Sequence, residues 1–235
     1  MNANFQSSIN DKENNLYYVT HCYIYLEVSE LNRFIFKYHL EIFTVIVLIF
    51  TVIDLILLST ISVIRKLINL FMILGVLHEW EEKRFPGGFH QLMGKKFGWD
   101  LENADFDKAG VCVIIYWLVV TIIPYIFDDV VCLFIISVAL SVLEAFVHTM
   151  GIFLHKMKKP YTPGLVSAWL MFAASVYTVF YLQTNRSATP VDYVLGTILM
   201  IAGFALMDIG VLNAFNTTLP EMIKNMKSNL AKKSF

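Results

Sequence analysis

The chain has 235 residues, 57% of them hydrophobic and only 16% charged, with a mean hydropathy of +0.62. Soluble domains carry about 25% charged residues, so this composition points to an integral membrane protein in contact with a lipid bilayer. The formal net charge of −1 supplies no field to attract a polyanion, which excludes nucleic acid as a partner.

The opening "MNANFQSSINDKENN" is polar and lacks a basic region followed by an apolar one, so it does not read as a cleaved signal peptide. Residues 1–38 form a mixed cytosolic or interfacial segment. It holds one short strand or helix, "LYYVTHCYIYLEV". The first predicted span runs from Leu40 to Ile64, with Asp54 as its only charge after Glu41. The second runs from Leu67 to Glu82. Its length of about 24 Å falls short of a hydrocarbon core of about 30 Å, which leaves a partly inserted or re-entrant helix open. The remaining spans are Ala109–Phe127, Val130–His155, Gly164–Gln183 and Val191–Asn213, and the loop 83–108 has no assigned element. The tail, residues 214–235, is polar, basic and helical in pattern. The expected fold class is all-α: a polytopic helical bundle of six, or five, transmembrane helices over residues 39–213.

Lysine and arginine orient it. The segments 1–38, 83–108, 156–162 and 214–235 are rich in them, whereas the intervening loops hold only Arg65, Lys66 and Arg186. The positive-inside rule then puts both termini in the cytoplasm, with the Arg65–Lys66 pair as the exception. Cys22, Cys112 and Cys132 have no metal-type spacing and read as small buried hydrophobes.

Two stretches carry the chemistry. In "HEWEE" (78–82), a helical period puts Glu81 about 60° to one side of His78 and Glu82 about 40° to the other, with Glu79 about 100° away. In "SVLEAFVHTMGIFLHK", Glu144, His148 and His155 fall within about 40° of one another. The sixth span adds Asp208. All three spans end on the cytoplasmic side, so they bring ionisable groups to one depth. Charged groups in a membrane tend to face the bundle interior, paired or ligated, and imidazole with carboxylate is a ligand set for Zn, Fe or Mn. The plainer reading is that each carboxylate bonds a neighbouring helix or snorkels to the interface. Asp54 reads as a structural hydrogen-bonding group, and His21, His39 and His90 as solvated.

"HEWEE" followed by "FPGGF" resembles the HXXEE family of integral membrane proteins. His78, Glu81 and Glu82 fill its first motif. "EAFVH" is similar to its Asn-x-x-x-His motif, with Glu144 in the asparagine position and His148 retained. "YTPG" at 161–164 looks like its Tyr-Ser-Pro-Gly turn. The resemblance covers about residues 70–213 and implies a membrane-embedded, metal-dependent enzyme of no stated reaction. "HEWEE" also matches His-Glu-x-x-Glu, a variant of the zincin pattern with Glu79 in the position of the base.

Three functions follow from these residues. A metal-dependent membrane enzyme would take His78, Glu81, Glu82, Glu144 and His148 as ligands, with Glu79, His155 and Asp208 as acid–base groups, and would act on a lipid-like or amphipathic substrate. A proton-coupled carrier would use Asp54, Glu144, His148 and Asp208 as a relay. A non-catalytic scaffold would use its polar ends to bind partners or lipid headgroups. The enzyme is the leading expectation.

Overall fold

The computed structural model describes residues 29–57, 60–97, 99 and 101–231, so the expectations for His21, Cys22 and the segment "LYYVTHCYIYLEV" lie outside it. The chain divides into two units, Met1–Tyr38 and His39–Phe235. In the first, residues 29–37 are helical. The second consists of α1 (His39–Ile56), α2 (Val63–Lys83), α3 (Phe89–Phe97), α4 (Phe106–Ile126), α5 (Val131–Leu154), α6 (Leu165–Thr184), α7 (Pro190–Ala214) and α8 (Leu219–Ala231). The described residues contain no strand.

Five helices, α1, α4, α5, α6 and α7, are long and apolar enough to cross a membrane. Their outward faces are apolar too. Leu48, Val52, Phe180, Ile198 and Leu206 are all exposed. Apolar surface on the outside of a bundle has its natural solvent in lipid tails.

The sixth long helix, α2, is the exception in composition and sits inside. It packs against α1, α4 and α6, with lighter contacts to α3 and α5. It buries Ile68, Phe71 and Met72 together with His78, Glu79 and Glu82. It is longer than expected, but it is not among the five helices long and apolar enough to cross a membrane, so the five-span alternative stands. The helix has 21 residues, or about 31 Å at 1.5 Å per residue, which matches the membrane core. Its start is earlier than expected because Ser62 caps it, accepting from the Arg65 amide at 3.0 Å. For the same reason α1 ends at Ile56 and does not run on to Ile64.

Opposite ends of α2 are tied to opposite ends of the bundle. At its start, Arg65 pairs with Asp128 in the α4–α5 turn at 2.8 Å and lies over the Tyr125 ring. Tyr125 donates to Asp54, which is buried. Arg65 thus has a local partner, which accounts for a cation on the less basic side. At its finish, the HEWEE residues meet the N-terminus of α6.

The loop 83–108 contains a helix the apolar pattern did not indicate. The turn at Phe85–Gly88 has a cis Phe85–Pro86 bond and two glycines at positive φ, and α3 follows it. Helix α8 packs on α3.

Candidate metal centre

Helices α2 and α5 both run toward the same end of the bundle. Each carries one histidine and one glutamate at a spacing of four: His78 and Glu82 on α2, Glu144 and His148 on α5. That spacing stacks the pair on one helical face. The two faces meet. His78 Nε2 lies 3.6 Å from Glu82 Oε1 and 3.7 Å from Glu144 Oε2. His148 Nε2 lies 2.9 Å from Glu82 Oε1 and 3.7 Å from Glu144 Oε2. One donor atom from each residue lies within 4.8 Å of all the others. His78, Glu82 and His148 are buried, and Glu144 is partly so.

The ring nitrogens on the far side decide what the near ones offer. Thr162 donates its hydroxyl proton to the His148 backbone carbonyl at 3.0 Å. Its oxygen is therefore left as an acceptor for His148 Nδ1–H at 3.3 Å. Ser167 is engaged in the same way. Its hydroxyl donates to Glu81 Oε2, and its oxygen faces His78 Nδ1 at 3.0 Å. With Nδ1 donating to these oxygens, each Nε2 faces the carboxylates, and a metal ion would take its lone pair by displacing any proton held there. His148 Nε2 makes no aligned hydrogen bond despite its short distance to Glu82.

Four groups that can serve as electron-pair donors to a cation thus converge. Bonds of 2.0–2.2 Å to a tetrahedral metal give ligand–ligand edges of about 3.3–3.6 Å. Three of the four histidine–glutamate separations are 3.6 or 3.7 Å. The set could hold a divalent cation, and imidazole with carboxylate is a suitable donor chemistry for one.

Glu81, expected as a ligand, is not in this group. Its carboxylate accepts from the backbone amides of Val166 at 3.1 Å and Ser167 at 2.8 Å, from Tyr161 Oη at 2.8 Å, and from the Ser167 hydroxyl. The first amides of a helix have no intrahelical acceptor and carry the positive end of its dipole. Helix α6 begins after Gly164, which has no side chain to cap it, so Glu81 serves as its cap from another helix. Burial and the bond to Glu81 raise the Tyr161 pKa, which keeps its phenol protonated as the donor.

Of the three residues expected as acid–base groups, Glu79 accepts from Trp117 Nε1 at 2.8 Å and faces Lys83 Nζ at 2.7 Å. It also lines a cavity beside the cluster. Asp208 lines the same cavity from α7. His155, at the C-cap of α5, lines neither of the cavities that meet at the cluster. Asp54 is bonded to Tyr125 at the opposite end of the bundle.

The first of those cavities has a volume of about 300 Å³. Its polar end is made by His78, Glu82, Glu144 and Asp208, and its walls by apolar residues such as Trp99, Phe204, Met207 and Leu212. A second cavity, about 190 Å³, is lined largely by polar residues, among them Lys83, Arg84, Gln91 and Asp107. Glu82 and His90 line both.

His90 corrects an expectation. It was expected solvated, but α3 folds back over the cluster and leaves it only partly exposed. Burial holds its pKa below the ordinary histidine value, and nearby Lys83 acts in the same direction against Glu82. Its neighbour Phe89 packs against the His148 ring at 4.4 Å between centroids. His39, also expected solvated, is buried. Thr162 and Ser167 do not stand out in the sequence, although Thr162 lies in the quoted "YTPG" and Ser167 three residues beyond it.

No protein-family model, no curated protein and no solved structure matches the chain.

Proposed function

We propose that the protein is a metal-dependent membrane enzyme. Its ion would be Zn, Fe or Mn, held by His78, Glu82, Glu144 and His148, and its substrate lipid-like. The observation that carries this reading is the convergence of the four residues with both Nδ1 atoms paired to hydroxyl oxygens, which turns both Nε2 atoms toward one buried and one partly buried carboxylate. Such a set binds a metal by ligands from two helices and orients them by contacts behind them. A bound ion would act as a Lewis acid on a water or a substrate oxygen. The adjoining apolar cavity is where the substrate would lie, and Glu79, Asp208 and His90 are the groups near enough to it to serve in proton transfer.

The lysines and arginines support an orientation. Lys83, Arg84, Lys95, Lys96, Lys108, Lys156, Lys158 and Lys159 belong to segments at the cluster end of the bundle, against Arg65, Lys66 and Arg186 at the other. On the positive-inside rule the site opens to the cytoplasm and both termini lie there. A carrier would need Asp54 in line with the cluster, and the bond from Tyr125 holds it near the far end of α2. From residue 65 to residue 80 along that helix is about 22 Å.

Metal content of the untagged protein tests the proposal. Mass spectrometry should find close to one Zn, Fe or Mn per chain, lost in both His78→Ala and His148→Ala. A metal-free wild type after metal-replete expression, with folding intact, would overturn it.

A further inference from the structure

Two cavities that differ in character and size share Glu82 and His90 in their linings, and Glu82 is one of the four residues of the cluster. We infer that the site takes a single-chain acyl lipid with a small polar head, and that it holds the junction of head and chain against the cluster. This rests on the metal reading above.

The chain side is set by shape and lining. A wall of Trp99, Val113, Phe204, Met207 and Leu212 offers an alkyl chain a dry surface and offers a polar solute nothing. The volume of about 300 Å³ is at the bottom of the range of 300–1,000 Å³ for pockets that enclose small ligands. A pocket at that end of the range favours one chain over two. Leu219 and Met222 of α8 also line it, so the pocket lies beside a helix at the end of the bundle, where chains of a bilayer lipid begin.

The head side is set by polarity. The second cavity, about 190 Å³, offers Gln91, Asp107 and the Lys83 and Arg84 side chains. Those two cations already face carboxylates: Lys83 faces Glu79 at 2.7 Å and Arg84 faces Glu41 at 3.4 Å. The surroundings therefore favour a hydrogen-bonding head, such as a glycerol, over one defined by charge. An ester oxygen between head and chain then falls at the cluster, where a metal ion would accept it as a ligand.

Native mass spectrometry of the intact metal-loaded protein with 1-oleoylglycerol and 1,2-dioleoylglycerol tests this directly, because the two share a head and differ in chain number. We expect one 1-oleoylglycerol per chain, bound at least ten-fold more tightly than the diacyl compound. Equal or preferred binding of the diacyl compound would overturn the inference, as would binding of neither to a protein that holds its metal. Met222→Trp and Val113→Phe each fill the cavity. They should lower binding at least ten-fold with metal content unchanged, and full binding in both would place the chain elsewhere. With cobalt(II) in the site, 1-oleoylglycerol should shift the visible absorption of the ion, and an unshifted spectrum would remove the junction from the cluster. A protein without metal would fail the earlier proposal instead, which metal content reports separately.

Discussion

Thr162 and Ser167 show how much a single hydroxyl decides. Each has one proton, already directed to another acceptor, so each can only accept from the histidine behind it. Removing that acceptor frees the imidazole to change tautomer and to turn. Losing a contact of this kind behind a metal ligand costs about 10–100-fold in affinity. Thr162→Val and Ser167→Ala should each weaken metal binding within that range, as read by competition with a chromogenic chelator. Glu81→Gln should behave differently. Its carboxamide keeps one acceptor oxygen for the α6 amides, so metal stoichiometry should persist. The loss of charge-assisted bonds should lower the melting temperature by several degrees, at about 2–4 °C per kcal/mol for a chain of this size.

Gly164 belongs to the same few ångströms. Its φ is +93°, and a Cβ there would lie 2.8 Å from Glu82 Cγ and 2.9 Å from His148 Nε2. Both the left-handed backbone and the crowding act against a side chain, at about 1–3 kcal/mol each. Gly164→Ala should therefore reduce stability and metal occupancy together, a joint loss that Glu81→Gln does not give. Separate thermal and metal-content measurements would resolve the two patterns.

The elements divide the work between the two ends of α2. Its first turns are anchored by Arg65 to Asp128, with Tyr125 and Asp54 alongside. The last turns carry the cluster. Substituting Arg65 with alanine should cost stability of about 1 kcal/mol, because the pair is partly exposed and screened, while leaving metal content unchanged. A loss of metal in Arg65→Ala would mean that the ends are coupled through the helix. The spans themselves were legible in the sequence, since long apolar runs announce themselves in composition and α4, α5, α6 and α7 start and stop within about three residues of their expected limits. Legibility failed where side chains compete. Glu81 and Glu82 straddle the direction of His78 by similar angles, so periodicity alone does not tell which one turns to α5. The unpaired amides of α6 decide it, and they are a property of the neighbour. His90 was hidden for a related reason. Nothing in its own stretch says that the Phe85–Gly88 turn swings α3 over the site.

At the scale of the molecule, the bundle is held by a buried apolar core with a polar knot toward one end. The two helices of the knot, α2 and α5, are far apart in sequence and touch each other only lightly. A cation shared between them would act as a cross-link present in the folded state alone. Ligand binding at 100 times its Kd stabilises by about 2.7 kcal/mol. Treatment with a strong chelator should thus lower the melting temperature of the wild type by roughly 5–10 °C. It should leave that of His78→Ala almost unchanged, and readdition of the metal should restore only the former. The same cross-link also explains why the polar helix must be central: a histidine and carboxylates on a lipid-facing surface would have no partner, and the cost of exposing them to hydrocarbon would fall on the whole fold.

The turn before α6 has a consequence for how the protein is made. The donors arrive early in synthesis, with α2 and then α5, but the hydroxyls that fix their tautomers and the helix end that draws Glu81 aside are encoded later, from Tyr161 to Ser167. A nascent chain halted before Pro160 has every one of the four donors and no means of aiming them. Ribosome-bound chains of increasing length should accordingly retain little metal until the first turns of α6 have left the exit tunnel and entered the membrane, so that ion capture marks the assembly of the fourth of the five apolar helices.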